Sequence, residues 1–405
     1  MTTAIRAWRT PLVVITASCL ISFLGFGPRS VLGLFLEPMT ATRGWGRETF
    51  AFALATQNLL WGATVPVASA LSDRYGPSRI LAIGGLIYAI GLVGMSQAQD
   101  GFVLTFTAGI LTGIGIGFAS FSIALSAIVK VISPERRSFA LGLGMASGSL
   151  GQVLFSPFGQ ALIANYGWTA GLYGLAASVL LIVVLVFALP ASDPTAADED
   201  TGQSLRSALL EARAHRGYVL LTLGFFVCGF HVAFITVHFP AYLQDLGMGA
   251  SIGAWSLSLI GLFNIIGSFG AGVAGQYFSK RLGLSFIYFA RTLAIVALLV
   301  LPKTEPVVLM FAGVMGLLWL STVPLTSGIV LQVFGVRYMA TLFGFVFFSH
   351  QLGSFSGVWL GGYLYDRTGS YDGMWLAAVA FGVLATVLHL PIDERPLARL
   401  RPAEN

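Results

Sequence analysis

Five side chains that carry or can accept a positive charge stand deep inside long apolar runs of this 405-residue sequence: Arg29, Arg291, His231, His238 and His350. All 17 acidic residues stand in a loop, at a terminus, or in the first or last turn of an apolar run, with Glu37 nearest to an exception. An ionisable group deep in a membrane helix costs at least about 2.5–3.5 kcal/mol, so it is a candidate for binding or proton transfer. Cationic groups without a companion carboxylate suit an anion. A guanidinium holds a carboxylate through two parallel bonds. An imidazole donates a hydrogen bond when neutral and adds charge when protonated. The sequences H-E-x-x-H, G-x-S-x-G, C-x-x-C and Walker A are absent, which leaves metalloprotease, esterase, thiol-redox and ATP-driven chemistry without support in this chain. Gly113–Gly117 (G-I-G-I-G) lies within an apolar run and follows no strand, so it is not a nucleotide loop. Cys19 and Cys228 read as small core residues, and no metal or cofactor is expected.

The elements that must position these groups follow from composition. Hydrophobic residues make up 56% of the chain and charged residues only 10%, against roughly 25% charged in soluble domains. That excludes a soluble enzyme, a disordered chain and a disulfide scaffold. Apolar runs fall at about 11–36, 48–71, 80–98, 101–130, 136–164 and 168–189, then at 217–243, 252–278, 283–301, 305–333, 338–364 and 371–391. The fold class is an all-α polytopic membrane protein with twelve transmembrane helices. The first run is too long for a signal peptide and no cleavage site follows it. The halves are 1–190 and 217–391, joined by a small-residue, acidic linker over 191–216 and followed by a tail at 392–405. Within the linker, Leu205 to Arg216 suits a short amphipathic helix at the membrane surface. With both termini cytoplasmic, 16 of the 22 basic residues fall inside, among them Arg6, Lys130, Arg136, Arg137 and Arg401, while Arg43, Arg47, Lys303 and Arg367 fall outside. That asymmetry sets the orientation. The net charge of +5 is thus a membrane signature, and no nucleic-acid partner is expected.

The chain repeats itself. An offset of 202 residues carries Gly27 onto Gly229, Pro38 onto Pro240, Arg29 onto His231, Gly142 onto Gly344, Ser147 onto Ser349, Leu150 onto Leu352, Gly151 onto Gly353, Gly159 onto Gly361 and Gly167 onto Gly369. Two pseudo-symmetric six-helix halves with a site between them follow from a parallel duplication.

Between the second and third runs, Ser72-Asp73-Arg74-Tyr75-Gly76-Pro77-Ser78-Arg79 resembles the G-x-x-x-D-R-x-G-R-R signature of the major facilitator superfamily, with Ser69 and Ser78 departing from it. The second-half loop Phe278 to Gly283 keeps the basic pair but lacks the Asp. Gly33 to Met39, the Arg43-Gly-Trp-Gly-Arg47 loop and Gly229 to Leu243 resemble the prokaryotic monocarboxylate porter and oxalate/formate exchanger branch. Departures from that branch are Arg29 in place of a first-helix Lys, a charge-free eighth run, and His350 in the eleventh.

The resemblance implies alternating access, with Asp73 and Arg74 as a gating pair on the cytoplasmic side. It places helices one, four, seven and ten around a cavity and helices two, five, eight and eleven beside it. Arg29, about 12 Å from the outer end of the first run, is then the expected anion anchor. His231, its repeat partner, and His350 assist; His231 and His238, two turns apart on one face, are the proton-coupling candidates. Gln57, Asn58, Gln152, Asn264 and Gln351 are expected beside the cavity, with helix-packing glue as the alternative. Ser120, Ser122, Ser126, Trp319, Ser321 and Thr322 are further lining candidates. Arg291, on a peripheral helix, reads as a snorkelling or structural residue. The antiporter sequence G-x-x-x-G-P-x-x-G-G is absent from the fifth run. The expectation is a monomeric secondary transporter of a small carboxylate with proton symport in a bacterial inner membrane. A drug or metabolite exporter and a transporter-derived receptor are the alternatives.

Overall fold

The computed structural model describes residues 9–129, 137–189, 204–335 and 337–400. Lys130, Arg136, Arg6, Arg401 and most of the linker lie outside the described residues, as do the side chains of Ser126 and Arg137. The described residues are helical throughout, without a strand. Among the described residues, nine stretches are long and apolar enough to cross a membrane. One of them, Gly142–Ala188, turns at Gly167 (φ 81°) and crosses twice. Spans two (Arg47–Tyr75) and eleven (Met339–Thr368) complete the twelve. They are the more polar ones because they carry Gln57, Asn58, His350 and Gln351.

Span one comprises Pro11–Ser30, a 3-10 turn at Leu32–Phe35 and a short helix Leu36–Arg43. Span three is Pro77–Gln97, and span four runs from Gly101 to Val129. Spans five and six form the stretch Arg137–Leu185 on either side of Gly167. Span seven is Arg216–Asp245, span eight Ala250–Tyr277, span nine Lys280–Val300, span ten Glu305–Phe334, and span twelve Asp372–His389. Twelve crossings return the chain to its starting side, so the two termini share one end; the opposite end is called the far end here.

The 202-residue repeat has a structural meaning. Gly167 and Gly369 both adopt positive φ, 81° and 69°, at turns after equivalent spans. Only a residue without Cβ enters that region at no cost. Gly151 packs directly on the Phe23 carbonyl, welding span five to span one; Gly353 packs on the Phe226 carbonyl, welding span eleven to span seven. A methyl group at either position would meet backbone, which cannot yield.

Two spans are broken at equivalent heights. Span four is interrupted at Ala119–Ser120, between Thr112–Phe118 and Phe121–Val129. Span ten is interrupted at Trp319–Ser321, between Glu305–Leu318 and Thr322–Phe334. A break inside a membrane leaves carbonyls that need donors, and the sequence-based reading of Arg291 is resolved here. Arg291 does not snorkel. It is fully buried, and its Nε and Nη2 donate to the Leu318 carbonyl (3.1 and 2.6 Å), with a further bond to Trp319 O and one to Cys228 Sγ at 3.5 Å. It is the built-in cation that caps the broken helix.

The expected amphipathic segment forms the helix Leu205–Ala214. Glu211 on it pairs with Arg399 at 3.0 Å, fastening the tail to the linker.

Candidate functional site

Where the halves meet at mid-height, a void of about 10 Å³ is lined by Arg29, Leu54, Gln57, Asn58, Ala233, Thr236 and Val237. That is space for about one water molecule, so a larger solute fits only when the lining parts. Span one delivers Arg29 just before its 3-10 turn, one residue after Pro28. Arg29 Nη2 donates to Asn58 Oδ1 at 2.7 Å, and its guanidinium lies 4.0 Å from the Trp61 ring centroid and 5.6 Å from that of Phe26. No carboxylate among the described residues pairs with it. Its Nε is buried without a partner, as is the hydroxyl of Tyr88. A half-buried cation with one side-chain hydrogen bond and an unpartnered Nε retains capacity for a two-point anion contact.

The other expected site residues divide. Asn58 lines the void and orients Arg29. Gln57 lines it too, but its Nε2 is committed to the Ala108 carbonyl at 2.8 Å, within a wide π turn of span four at Thr105–Leu111. Such a turn frees a carbonyl, and Gln57 satisfies it. Gln152 donates to Leu257 O (3.1 Å) and Asn264 to Ser149 Oγ (3.0 Å), both joining span five to span eight, while Asn264 Oδ1 accepts from Leu320 N–H at 3.0 Å. These two amides bridge the halves and do not line the void. Gln351 packs on Gly62 of span two. His350 is joined to Gln351 at 3.0 Å and stacks on Phe347, whose ring meets Trp61; His350 therefore reaches the Arg29 platform only through two rings.

His231 turns away from the void. It is fully buried against span twelve, with Nε2 2.8 Å from Ala378 O. The offset that aligns it with Arg29 fixes its height but not its direction: the short imidazole takes the nearest carbonyl, whereas the long guanidinium reaches across to span two. His238 is also fully buried. Its Nε2–H donates to Val358 O (2.8 Å), so Nδ1 accepts, and the Tyr371 hydroxyl at 3.0 Å is the donor. Ser120 and Ser122 hydrogen-bond each other at 2.9 Å beside the span-four break. In span ten, the Trp319 carbonyl and Thr322 are tied to Arg291 and Cys228. Asp73 and Arg74 are exposed at the termini end, where Arg74 lies 5.2 Å from the Tyr75 ring.

The sequence-based reading missed a network that closes the far end. Arg47, the first residue of span two, gives two parallel bonds to Asp245 at the end of span seven (2.7 and 2.6 Å), a third to Tyr371 Oη (3.0 Å), and lies 3.8 Å from the Tyr365 ring centroid. Burial holds the Tyr371 phenol above its ordinary range, despite the neighbouring Arg47. Asp366 accepts from the backbone N–H groups of Arg47 and Glu48 (2.9 and 2.8 Å), so a second-half carboxylate caps a first-half helix. Glu48 in turn meets Arg367 and the Trp359 indole, both at 3.3 Å. Gly46 and Gly33 allow this closeness: a Cβ at Gly46 would strike Asp366, and one at Gly33 would strike the Thr236 carbonyl. The sequence signals were charge gathered on one side at the ends of spans one, two, seven and eleven, and the Arg43-Gly-Trp-Gly-Arg47 loop, read there only for its family resemblance.

Twelve apolar crossings in two repeated halves, with a guanidinium at the void between them, have the architecture of a membrane transporter. The Major Facilitator Superfamily model matches residues 18–358. The chain belongs to that superfamily, whose members are transporters and not enzymes. It is 27% identical to monocarboxylate transporter 13 of Rattus norvegicus over 395 residues, covering 93% of this chain and 89% of that protein. It is 24% identical to the uncharacterized MFS-type transporter YcxA of Bacillus subtilis (strain 168), covering 89% and 90%. The crystal structure of a D-xylose-proton symporter superposes with a TM-score of 0.76 at 15% identity, covering 95% of this chain and 99% of that one, which shows the shared fold.

Proposed function

We propose that this transporter moves a small monocarboxylate by alternating access, with proton symport, across a bacterial cytoplasmic membrane, both termini cytoplasmic and the far end outside. The observation that carries the reading is Arg29: a cation at the void between the halves, one side-chain hydrogen bond made, Nε free, and no carboxylate partner among the described residues. A cargo carboxylate supplies the missing charge. The similarity to a protein named monocarboxylate transporter 13 supports the substrate class. Of the two histidines expected to carry the proton, His238 has the better connection, because its Nδ1 meets Tyr371, which also accepts from Arg47. Protonation of Nδ1 turns it from acceptor to donor and forces the Tyr371 hydroxyl to reorient.

The test is uptake of radiolabelled lactate into proteoliposomes with and without an imposed proton gradient. The expected result is accumulation driven by an inward gradient and inhibited by other monocarboxylates. Lactate uptake indifferent to the gradient removes symport; preference for lipophilic cations over every carboxylate removes the anion reading.

A further inference from the structure

We infer that Arg47 is a second carboxylate-binding site, the access site at the far end, and that Asp245 occupies it as a built-in stand-in for the cargo whenever that end is closed. The inference rests on the anion reading of Arg29.

All the groups that hold the Arg47 side chain belong to the opposite half. Asp245 ends span seven, Tyr365 lies in span eleven, and Tyr371 precedes span twelve. Parting the halves at the far end therefore removes them together. What remains on the first half is a guanidinium whose side chain is 12% exposed in the closed state and which has lost these partners once the halves part. Its geometry for a carboxylate is already demonstrated by Asp245, bound through two parallel N–H···O bonds at 2.7 and 2.6 Å. A small monocarboxylate offers the same two oxygens.

The position of Arg47 on its helix gives the site a direction. Asn58, which holds Arg29, stands eleven residues further along the same helix. Eleven residues make three turns plus about 20°, or about 16 Å of rise, so the two lie on one face. Leu54, between them on that face, lines the void. A carboxylate released from Arg47 by returning Asp245 thus has a path along one helix face to Arg29. Closing the gate and discharging the access site are one event, because the residue that closes the gate is the competitor for the site. Glu48, the next residue, points about 100° away from Arg47 around the helix, and in the closed state it meets Trp359 and Arg367.

A latch without a binding role and an access site make opposite demands on the two partners. If Arg47 and Asp245 only hold the end shut, removing either loosens the same contact, and both substitutions shift the KM for external substrate in the same sense. If Arg47 binds cargo and Asp245 competes, the shifts oppose. The experiment measures lactate uptake in proteoliposomes of fixed orientation, with KM determined separately from each side. Arg47→Gln is expected to raise the far-side KM roughly tenfold, the value of one charge-assisted contact. Asp245→Asn is expected to lower it several-fold, and neither should move the KM from the termini side. Arg47→Lys, which keeps charge but loses the two-point fork, is expected in between and serves if Arg47→Gln does not fold. Shifts of the same sign in Arg47→Gln and Asp245→Asn, or a far-side KM unmoved by Arg47→Gln and Arg47→Lys, overturn the access site while leaving lactate transport intact. Wild-type protein that takes up no lactate from either side overturns the anion reading itself, and this inference with it.

Discussion

Arg29 and Arg291 bring the same guanidinium into the same apolar interior and are met there in opposite ways. Arg291 is spent on the protein: its donors go to the Leu318 and Trp319 carbonyls exposed by the break in span ten, and to Cys228. Arg29 makes one side-chain hydrogen bond, to Asn58, and keeps its Nε free. The difference teaches that a buried charge is read by what saturates it and not by its depth. Both residues are long, cationic and surrounded by apolar sequence; only the partners separate a structural cation from one with capacity left for a ligand.

Substitutions can break or sharpen this contrast. The largest effect is expected from Arg291→Ala, which leaves two membrane-buried carbonyls without donors and opens a cavity. A loss on the order of 3–5 kcal/mol is expected, read as collapse of the monodisperse fraction and of the Tm in detergent. A normally folding Arg291→Ala variant with wild-type Tm breaks the comparison outright. Arg29→Gln comes next: lactate uptake is expected to fall at least about 100-fold, equivalent to about 2.7 kcal/mol, with Tm within a few degrees of wild type. The signature is activity lost without stability, the reverse of Arg291. Asn58→Ala removes the residue that aims Arg29 and is expected to cost about 1–1.5 kcal/mol, seen as a five- to tenfold rise in KM from either side. The smallest effect is expected from His231→Gln, which keeps a donor toward Ala378 O. Its uptake should stay within about twofold of wild type; loss of uptake, or a shifted pH profile, would return His231 to the transport path.

Much of the fold was legible in the sequence because a membrane leaves few choices. Apolar runs of the right length had to be helices, and the 202-residue offset named the glycines that now form the paired turns and welds. Arg29 was legible for the same reason: a lone charge in a greasy span stands out. Directions around a helix were not legible. The offset aligned His231 with Arg29, yet one faces span twelve and the other span two, and Gln152 and Asn264 bridge spans five and eight instead of facing the void. The far-end latch was hidden by distance along the chain. Arg47 and Asp245 are 198 residues apart, and Arg47 and Tyr371 are 324 apart, so no local pattern pairs them. Span-end charges look alike until the fold brings four ends together.

The solitary charge of Arg29 also has an electrical side. A unit charge carried across a drop of 100 mV changes in energy by about 2.3 kcal/mol. With a carboxylate on the proposed anchor and the proposed proton on His238, one negative and one positive charge are added together, so the loaded and the empty carrier hold the same net charge. Whatever the membrane potential does to that charge on the loaded leg it undoes on the empty one. A full cycle then moves no net charge, and accumulation answers to the proton concentration difference and not to the voltage.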